Sequence, residues 1–288
     1  MSLTINTNIA SLTIQRNLNA ATNGMNLAME RMSTGYKINS AADDAAGMAV
    51  SSKMEAQIGG ISVAESNGQM GISLLTTQEG VLDIVNDYLQ RIRDLTEQAA
   101  NGTYGTDSLK AIAIEVAQRM DEIDRMVSVT DFNGIFLLDG SRNSDVNLQI
   151  GLHETNNDII KLDQGVFAEA RCSKLFTGKQ TSASAVVGGN GIYANDSSAR
   201  EFLVDIDNAI ANIAERRTKI GAYMNRINSA IEALSIQGQN LTEANSSIKD
   251  ADIAVESSNY IKNQILQQSA ASLLTTANQT PNIALNLL

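Results

Sequence analysis

From Ile206 to Leu241 the chain steps by four and three residues alternately through Ile206, Ile210, Ile213, Arg217, Ile220, Met224, Ile227, Ile231, Leu234, Gly238 and Leu241. Only Arg217 and Gly238 break the apolar run. A repeat of 3.5 residues keeps one stripe of a helix turned toward one partner along its whole length. At 1.5 Å per residue this stripe runs about 53 Å, so it requires a second helix of similar reach. The segment Met54 to Ala99 supplies one, with Ile58, Ile61, Ile72, Leu75, Leu82, Val85, Leu89, Ile92 and Leu95 at helical steps. Asn101-Gly102-Thr103 follows as a stop and turn signal. Proline is what long helices exclude. The chain has one, Pro281, where average usage of about 5% would give roughly fourteen.

A further helix is expected after Asp107, with Leu109, Ile112, Val116, Met120, Ile123 and Val127 on one face. The period then changes. Phe132-Asn133-Gly134 marks a turn, and Val146 to Ile150 alternates as a half-buried strand does. Asp158 to Leu162 is its expected hairpin partner, across the polar Glu154 to Asn157. Residues 164–199 are the least regular, and Ser182 to Ser198 reads as an exposed loop of Ser, Gly, Ala and Asn. The fold class is therefore mainly α. We expect a long coiled-coil rod or bundle with a small β-hairpin region, its N and C termini together at one end.

Charge separates the ends from the middle. Residues 263–288 carry no charged side chain and residues 1–29 only Arg16, although the whole chain totals −11. Both ends are amphipathic at helical spacing, with Ile14, Leu18, Ala21, Met25, Ala28 and Met32 at one and Leu266, Ala270, Leu273 and Ala277 at the other. Their opposite faces are polar but uncharged, so many copies can lie side by side without repulsion. A membrane-surface role would call for Lys or Arg on those faces, and they are missing. No run reaches the roughly 20 apolar residues of a spanning helix. No basic start and continuous apolar run marks a cleavable leader. A pI near 4.6 argues against a nucleic-acid partner, which needs a basic face.

Reactive residues are few. Cys172 is the only cysteine and His153 the only histidine, and neither has partners spaced for a metal or a nucleophile. Asp43-Asp44 reads as a pair of acids at a helix N-terminus, where unpaired amides and the dipole favour them. Gly188-Gly189-Asn190-Gly191 lacks the strand–helix context of a phosphate loop. The Asn-x-Ser/Thr sequons at Asn101, Asn195, Asn240, Asn245 and Asn278 are what chance gives in so Asn-, Ser- and Thr-rich a chain. No catalytic residue, cofactor or metal is expected.

The run Arg31-Met32-Ser33-Thr34-Gly35-Tyr36-Lys37-Ile38-Asn39-Ser40-Ala41-Ala42-Asp43-Asp44-Ala45-Ala46-Gly47-Met48-Ala49 closely resembles the N-terminal signature of bacterial flagellins. Ile5-Asn6-Thr7-Asn8, Leu89 to Leu95, Gln118 to Arg125 and Phe132-Asn133-Gly134 are similar to further family motifs. So are Ile220-Gly221-Ala222, Asn225-Arg226, Gln264 to Gln268 and Leu287-Leu288. Met224 stands where most members have Gln, and Ser247 where most have Arg.

The resemblance implies a structural subunit of the flagellar filament, a homopolymer used for swimming motility. The closest alternative is the hook–filament junction protein, in which the segment after Ile-Asn-Ser tends to carry prolines that Ala41 to Gly47 lack. It implies an inner filament layer from residues 1–43 and 246–288, and an outer one from 44–163 and 200–245. Residues 164–199 would be a short exposed variable segment. It implies export by the flagellar type III route, a chaperone at the C-terminal segment, and contacts with the filament cap and hook-junction proteins. Modification of Ser or Thr in the exposed segment would fall on Thr181, Ser182, Ser184, Ser197 or Ser198. Recognition by the vertebrate flagellin-sensing Toll-like receptor would use Arg91, Leu95 and Glu115, flanked by Gln118 and Arg119. The seam expected to hold the subunit together is Ile213, Ile220, Ile227, Ile231 and Leu234.

Overall fold

A computed structural model describes residues 8–142, 144–176, 192–193 and 196–286, with side chains to residue 279. Six α-helices occur among them: α1 (Ile9–Thr34), α2 (Ala45–Ala99), α3 (Thr106–Val129), α4 (Cys172–Leu175), α5 (Asp196–Lys249) and α6 (Ile253–Asn286). Two hairpins, β1 (Asp131–Phe132) with β2 (Ile135–Phe136) and β3 (Val146–Gln149) with β4 (Ile159–Leu162), are antiparallel. The chain divides into two compact units, residues 1–59 with 238–288, and residues 60–237.

The second unit holds the larger core. On α2 the buried positions from Ile61 to Ala99 step by three and four without a break, through Ala64, Gly68, Gly71, Leu75, Gln78, Leu82, Val85, Leu89, Ile92 and Thr96. The apolar residues show this repeat only in part, because Gly68, Gly71, Gln78 and Thr96 occupy seam positions. Each has a reason. A Cβ at Gly68 would lie 2.9 Å from Ile231 Cδ1, and one at Gly71 would lie 2.5 Å from Leu148 Cδ1. The glycines therefore let α5 and the β3–β4 hairpin press against the helix backbone. Thr96 shares a 2.6 Å hydrogen bond with the Tyr193 hydroxyl. Gln78 donates from Nε2 to the Val166 carbonyl at 2.7 Å.

On α5 the fully buried row is Ala199, Ile206, Ile213, Ile220 and Ile227, spaced by seven and continued by Leu234. Ile231, in the neighbouring row, is half-buried. Arg217, one of the two exceptions in the sequence pattern, reaches two acids of α2, with Nη2 2.7 Å from Glu79 Oε1 and Nη1 2.7 Å from Asp83 Oδ1. Helix α3 packs Ile112, Val116, Met120, Ile123 and Val127 inward. The β1–β2 turn puts Asn133 at φ 52° and Gly134 at φ 77°, left-handed values that suit an Asn-Gly hairpin turn. Strand β3 pairs Val146 with Leu162 and Gln149 with Ile159, the hairpin that alternation in the sequence indicates.

The described residues within 164–199 depart from the surface segment expected of them. Val166, Phe167, Ala170, Cys172, Leu175 and Phe176 are buried, as are Ile192 and Tyr193. The irregular backbone here is held by side chains from the long helices. Gln78 takes the Val166 carbonyl, and Arg216 Nη1 and Nη2 donate to the carbonyls of Ala168 at 2.8 Å and Glu169 at 3.2 Å. Buried carbonyls need such donors. Burial also draws Arg216 below the usual guanidinium range. Ser197 and Ser198, expected in a loop, lie in the first turn of α5. Thr181, Ser182, Ser184 and the stretch Gly188 to Gly191 lie outside the described residues.

Candidate assembly surface

The first unit is built on α1 and α6, which run antiparallel. Their shared hydrogen bonds fix the register: Asn8 Nδ2 donates to Ala277 O at 2.8 Å, Gln267 Nε2 to Thr22 Oγ1 at 3.1 Å, and Arg31 Nη1 to Glu256 Oε1 at 3.2 Å. Close approach is set by small residues. Ala21 and Ala28 are buried, and a Cβ at Gly24 would lie 2.7 Å from Asn263 Nδ2.

Each helix end has a named cause. Asn8 Oδ1 accepts from Ser11 N at 3.1 Å and starts α1, and Gly35 ends it at φ 77° with its N–H on Arg31 O at 2.9 Å. Of the two aspartates read as N-terminal acids, Asp44 caps α2, accepting from Ala46 N at 3.1 Å and Gly47 N at 3.0 Å. Asp43 instead fastens the connector before it. The Ser40 N–H and hydroxyl, and the Asn39 N–H, hold its carboxylate below the usual range. The two connectors pair at Tyr36 and Asp250, with Lys37 N on Lys249 O at 2.6 Å and Ala251 N on Gly35 O at 2.9 Å. Lys249 sits 4.6 Å from the Tyr36 ring centroid and 2.6 Å from Glu55 Oε1. Its hydrogen bond to Glu55 raises the lysine and lowers the carboxyl.

What this unit leaves uncovered is the important feature. On α1, Ile9 is 71% exposed and Leu12 56%; on α6, Leu273 is 58% exposed, and Ile261, Ile265 and Leu266 are exposed with it. Of the four residues expected on one face of α6, Ala270 is buried, Ala277 is half-buried, and Leu266 and Leu273 stand open to solvent. Leu266, Ala270 and Leu273 line a groove of about 410 Å³ together with Ile14, Ala20 and Ala21 of α1. Such a groove offers apolar area and polar but uncharged edges, with no titratable side chain in its lining. It can bind another apolar helix face, and it holds nothing suited to catalysis.

The residues expected to meet a receptor lie on the second unit and do not all share a surface. Arg91 Nη2 is 3.4 Å and Arg119 Nη2 is 2.9 Å from Glu115 Oε1, and the Arg119 guanidinium lies 5.8 Å from the Tyr88 ring centroid. The Arg119 hydrogen bonds, with Arg91 adding its charge, hold Glu115 below the usual carboxyl range. Gln118 is exposed beside them. Leu95 is 3% exposed and faces the core. His153 is exposed. Cys172 is enclosed: its N–H donates to Asp124 Oδ1 at 2.8 Å, its thiol lies 3.6 Å from Met120 O, and burial pushes that thiol well above its ordinary value. A thiol so placed is a poor nucleophile. Among the described residues no group of His, Cys, Asp and Glu could hold a metal ion.

The model of the bacterial flagellin N-terminal helical region matches residues 5–143, and that of the C-terminal helical region matches residues 203–288. Flagellin of Bacillus subtilis strain 168 is 38% identical over 303 residues, covering 99% of each chain. The flagellar filament 30.7 kDa core protein of Treponema maltophilum is 35% identical over 291 residues, again covering 99% of each. The crystal structure of Bacillus cereus flagellin matches 62% of this chain and 94% of its own, at 28% identity and a TM-score of 0.48. With both helical regions matched in order and relatives aligned across almost their full lengths, the chain belongs to the bacterial flagellin family.

Proposed function

We propose that the chain is a structural subunit that polymerises into the flagellar filament outside the cell, with no catalytic step of its own. The observation that carries this reading is the apolar surface left open on α1 and α6, Ile9, Leu12, Leu266 and Leu273 above all. A side chain of this size gains roughly 1.5–3 kcal/mol when it leaves water. Two paired helices with so little buried between them therefore gain most of their stability from neighbours. Residues 1–43 and 246–288 form the inner layer of that polymer, and residues 44–163 and 200–245 its outer layer. The full-length relatives named for flagellin and filament core protein favour the filament itself over the hook–filament junction.

Several partners follow from the same reading. The C-terminal segment, amphipathic and uncharged, is what an export chaperone covers before assembly, and the flagellar type III route carries the chain out. The cap and the hook-junction proteins bound the polymer at its ends. The exposed Arg91 and Gln118, with the half-buried Glu115 and Arg119 between them, form the surface a Toll-like receptor meets on the monomer, with Leu95 supporting it from beneath.

Electron microscopy after seeding or salting-out tests the reading. Intact chain should form filaments, whereas chains lacking residues 1–30 or 263–288 should stay monomeric with the second unit folded. Circular dichroism should show more helix in filament than in monomer, because isolated weak helices fray. Equal helicity, or polymer from the truncated chains, would remove α1 and α6 from assembly.

A further inference from the structure

Ile9 and Leu12 head a longer stripe of α1 that its pairing with α6 leaves uncovered. Ile9, Leu12, Arg16, Asn19, Asn23, Asn26 and Glu30 step by three and four, and every one is exposed. The stripe lies opposite the row that packs on α6. It is the only line on the helix that carries charge outside an ion pair: a cation and an anion, separated by asparagines.

We propose that this stripe is an interface between copies of the chain, in which Arg16 of one copy pairs with Glu30 of the next. The inference rests on the polymer reading above and sets the stagger between neighbouring subunits. Among the described residues of α1 and α6 the carboxylates are Glu30 and Glu256. Arg31 already engages Glu256 at 3.2 Å. The polar partner of Glu30 is the Asn39 amide, at a long 3.5 Å, so its charge is not neutralised. Arg16 has no ion-pair partner among the described residues.

Within one chain the two cannot meet. Fourteen residues separate them, about 21 Å along a helix. Fourteen residues are also two heptads, so both side chains stand on one line. A second α1 lying parallel and displaced by about 21 Å brings Arg16 beside Glu30. An antiparallel pairing would join them as well, but it is self-complementary and closes as a dimer, whereas a parallel, displaced contact repeats without end. Polymerisation covers this face. A guanidinium buried there without a carboxylate would be strongly unfavourable, so the pair discriminates against every other stagger, as polar seam residues do in coiled coils.

Charge exchange tests the pairing in the full-length chain. Arg16→Glu and Glu30→Arg alone should each raise the concentration needed for polymerisation at least tenfold while leaving the monomer's circular dichroism melt unchanged. The double exchange in one chain should restore assembly. An equimolar mixture of the two single variants should also co-assemble, since the acid introduced at position 16 of one then meets the base introduced at position 30 of the other. Single variants that polymerise like the wild type would overturn the proposal and leave the polymer reading intact, as would failure of both the double exchange and the mixture. Rescue of Lys262→Glu by Glu30→Arg would give Glu30 to Lys262 instead. Wild-type chain that forms no filament would sink the underlying reading itself.

Discussion

Gly68 on α2 and Ile231 on α5 touch so closely that a Cβ on the glycine would lie 2.9 Å from both Cδ1 and Cγ1 of the isoleucine. The two long helices therefore meet backbone to side chain at this level. Ile231 is half-buried because it reaches across into space the glycine leaves open.

Glycines on α2 should accordingly divide by what they face. A Cβ at Gly80 would meet nothing within 4 Å, so Gly80→Ala should stabilise the monomer by about 0.5–1 kcal/mol, the ordinary helix-propensity gain. At Gly68 the same gain is opposed by the crowding of Ile231, and Gly68→Leu should cost about 1–3 kcal/mol. Urea denaturation of both variants beside the wild type checks the ordering. A Gly68→Leu chain as stable as the wild type would mean that the helices do not meet there.

Ile220 lies in the fully buried row of α5. Ile220→Asp puts a carboxylate into that row while Arg216 and Arg217, one turn away, are already engaged by the Ala168 and Glu169 carbonyls and by Glu79 and Asp83, and it should cost about 3–5 kcal/mol. Folding of the second unit should fail, not merely assembly. An unchanged thermal midpoint for this variant would place Ile220 outside the core.

The Glu115 cluster predicts a pH effect with a definite sign. Its carboxyl is held below the ordinary 4.5, by Arg119 first. A carboxyl lowered on folding contributes stability that is complete above the unfolded value and lost as pH falls through the folded one. Since Glu115 and Arg91 are both more than a third exposed, the contribution should stay below about 1 kcal/mol. Glu115→Gln should lower the denaturation midpoint at neutral pH, and its gap from wild type should close as the pH falls below about 4.5. A gap of constant size across that range would separate the effect from ionisation.

Receptor signalling by the monomer should distinguish direct contact from support. Arg91→Ala should reduce activation about tenfold, equivalent to about 1.4 kcal/mol, with little change in stability. Leu95 is buried, so Leu95→Ala should cost about 2–5 kcal/mol of stability and affect signalling through the fold. Reporter cells that respond alike to wild type and Arg91→Ala would remove this surface from the contact.

The sequence alone determined the long helices, their heptad spacing, the Asn-Gly turn and the hairpin pairing, because each follows from period or from local backbone preference. It also marked the uncharged ends, and its motifs carried the family. Only the tertiary structure decided which neighbours complete each surface. The seam of α2 is continuous, yet Gly68, Gly71, Gln78 and Thr96 hide it from any hydropathy pattern. Their fitness for the seam lies in what Ile231, Leu148, the Val166 carbonyl and Tyr193 bring to them. Residues 164–176 read as irregular and hold only short helical turns, α4 among them, but side-chain donors from Gln78 and Arg216 let their backbone enter the core. Leu95 and Arg91, four apart, share a helix side in any sequence reading. The packing of the bundle buries one and leaves the other in water, since the width of a helix's buried face is set by how many partners surround it.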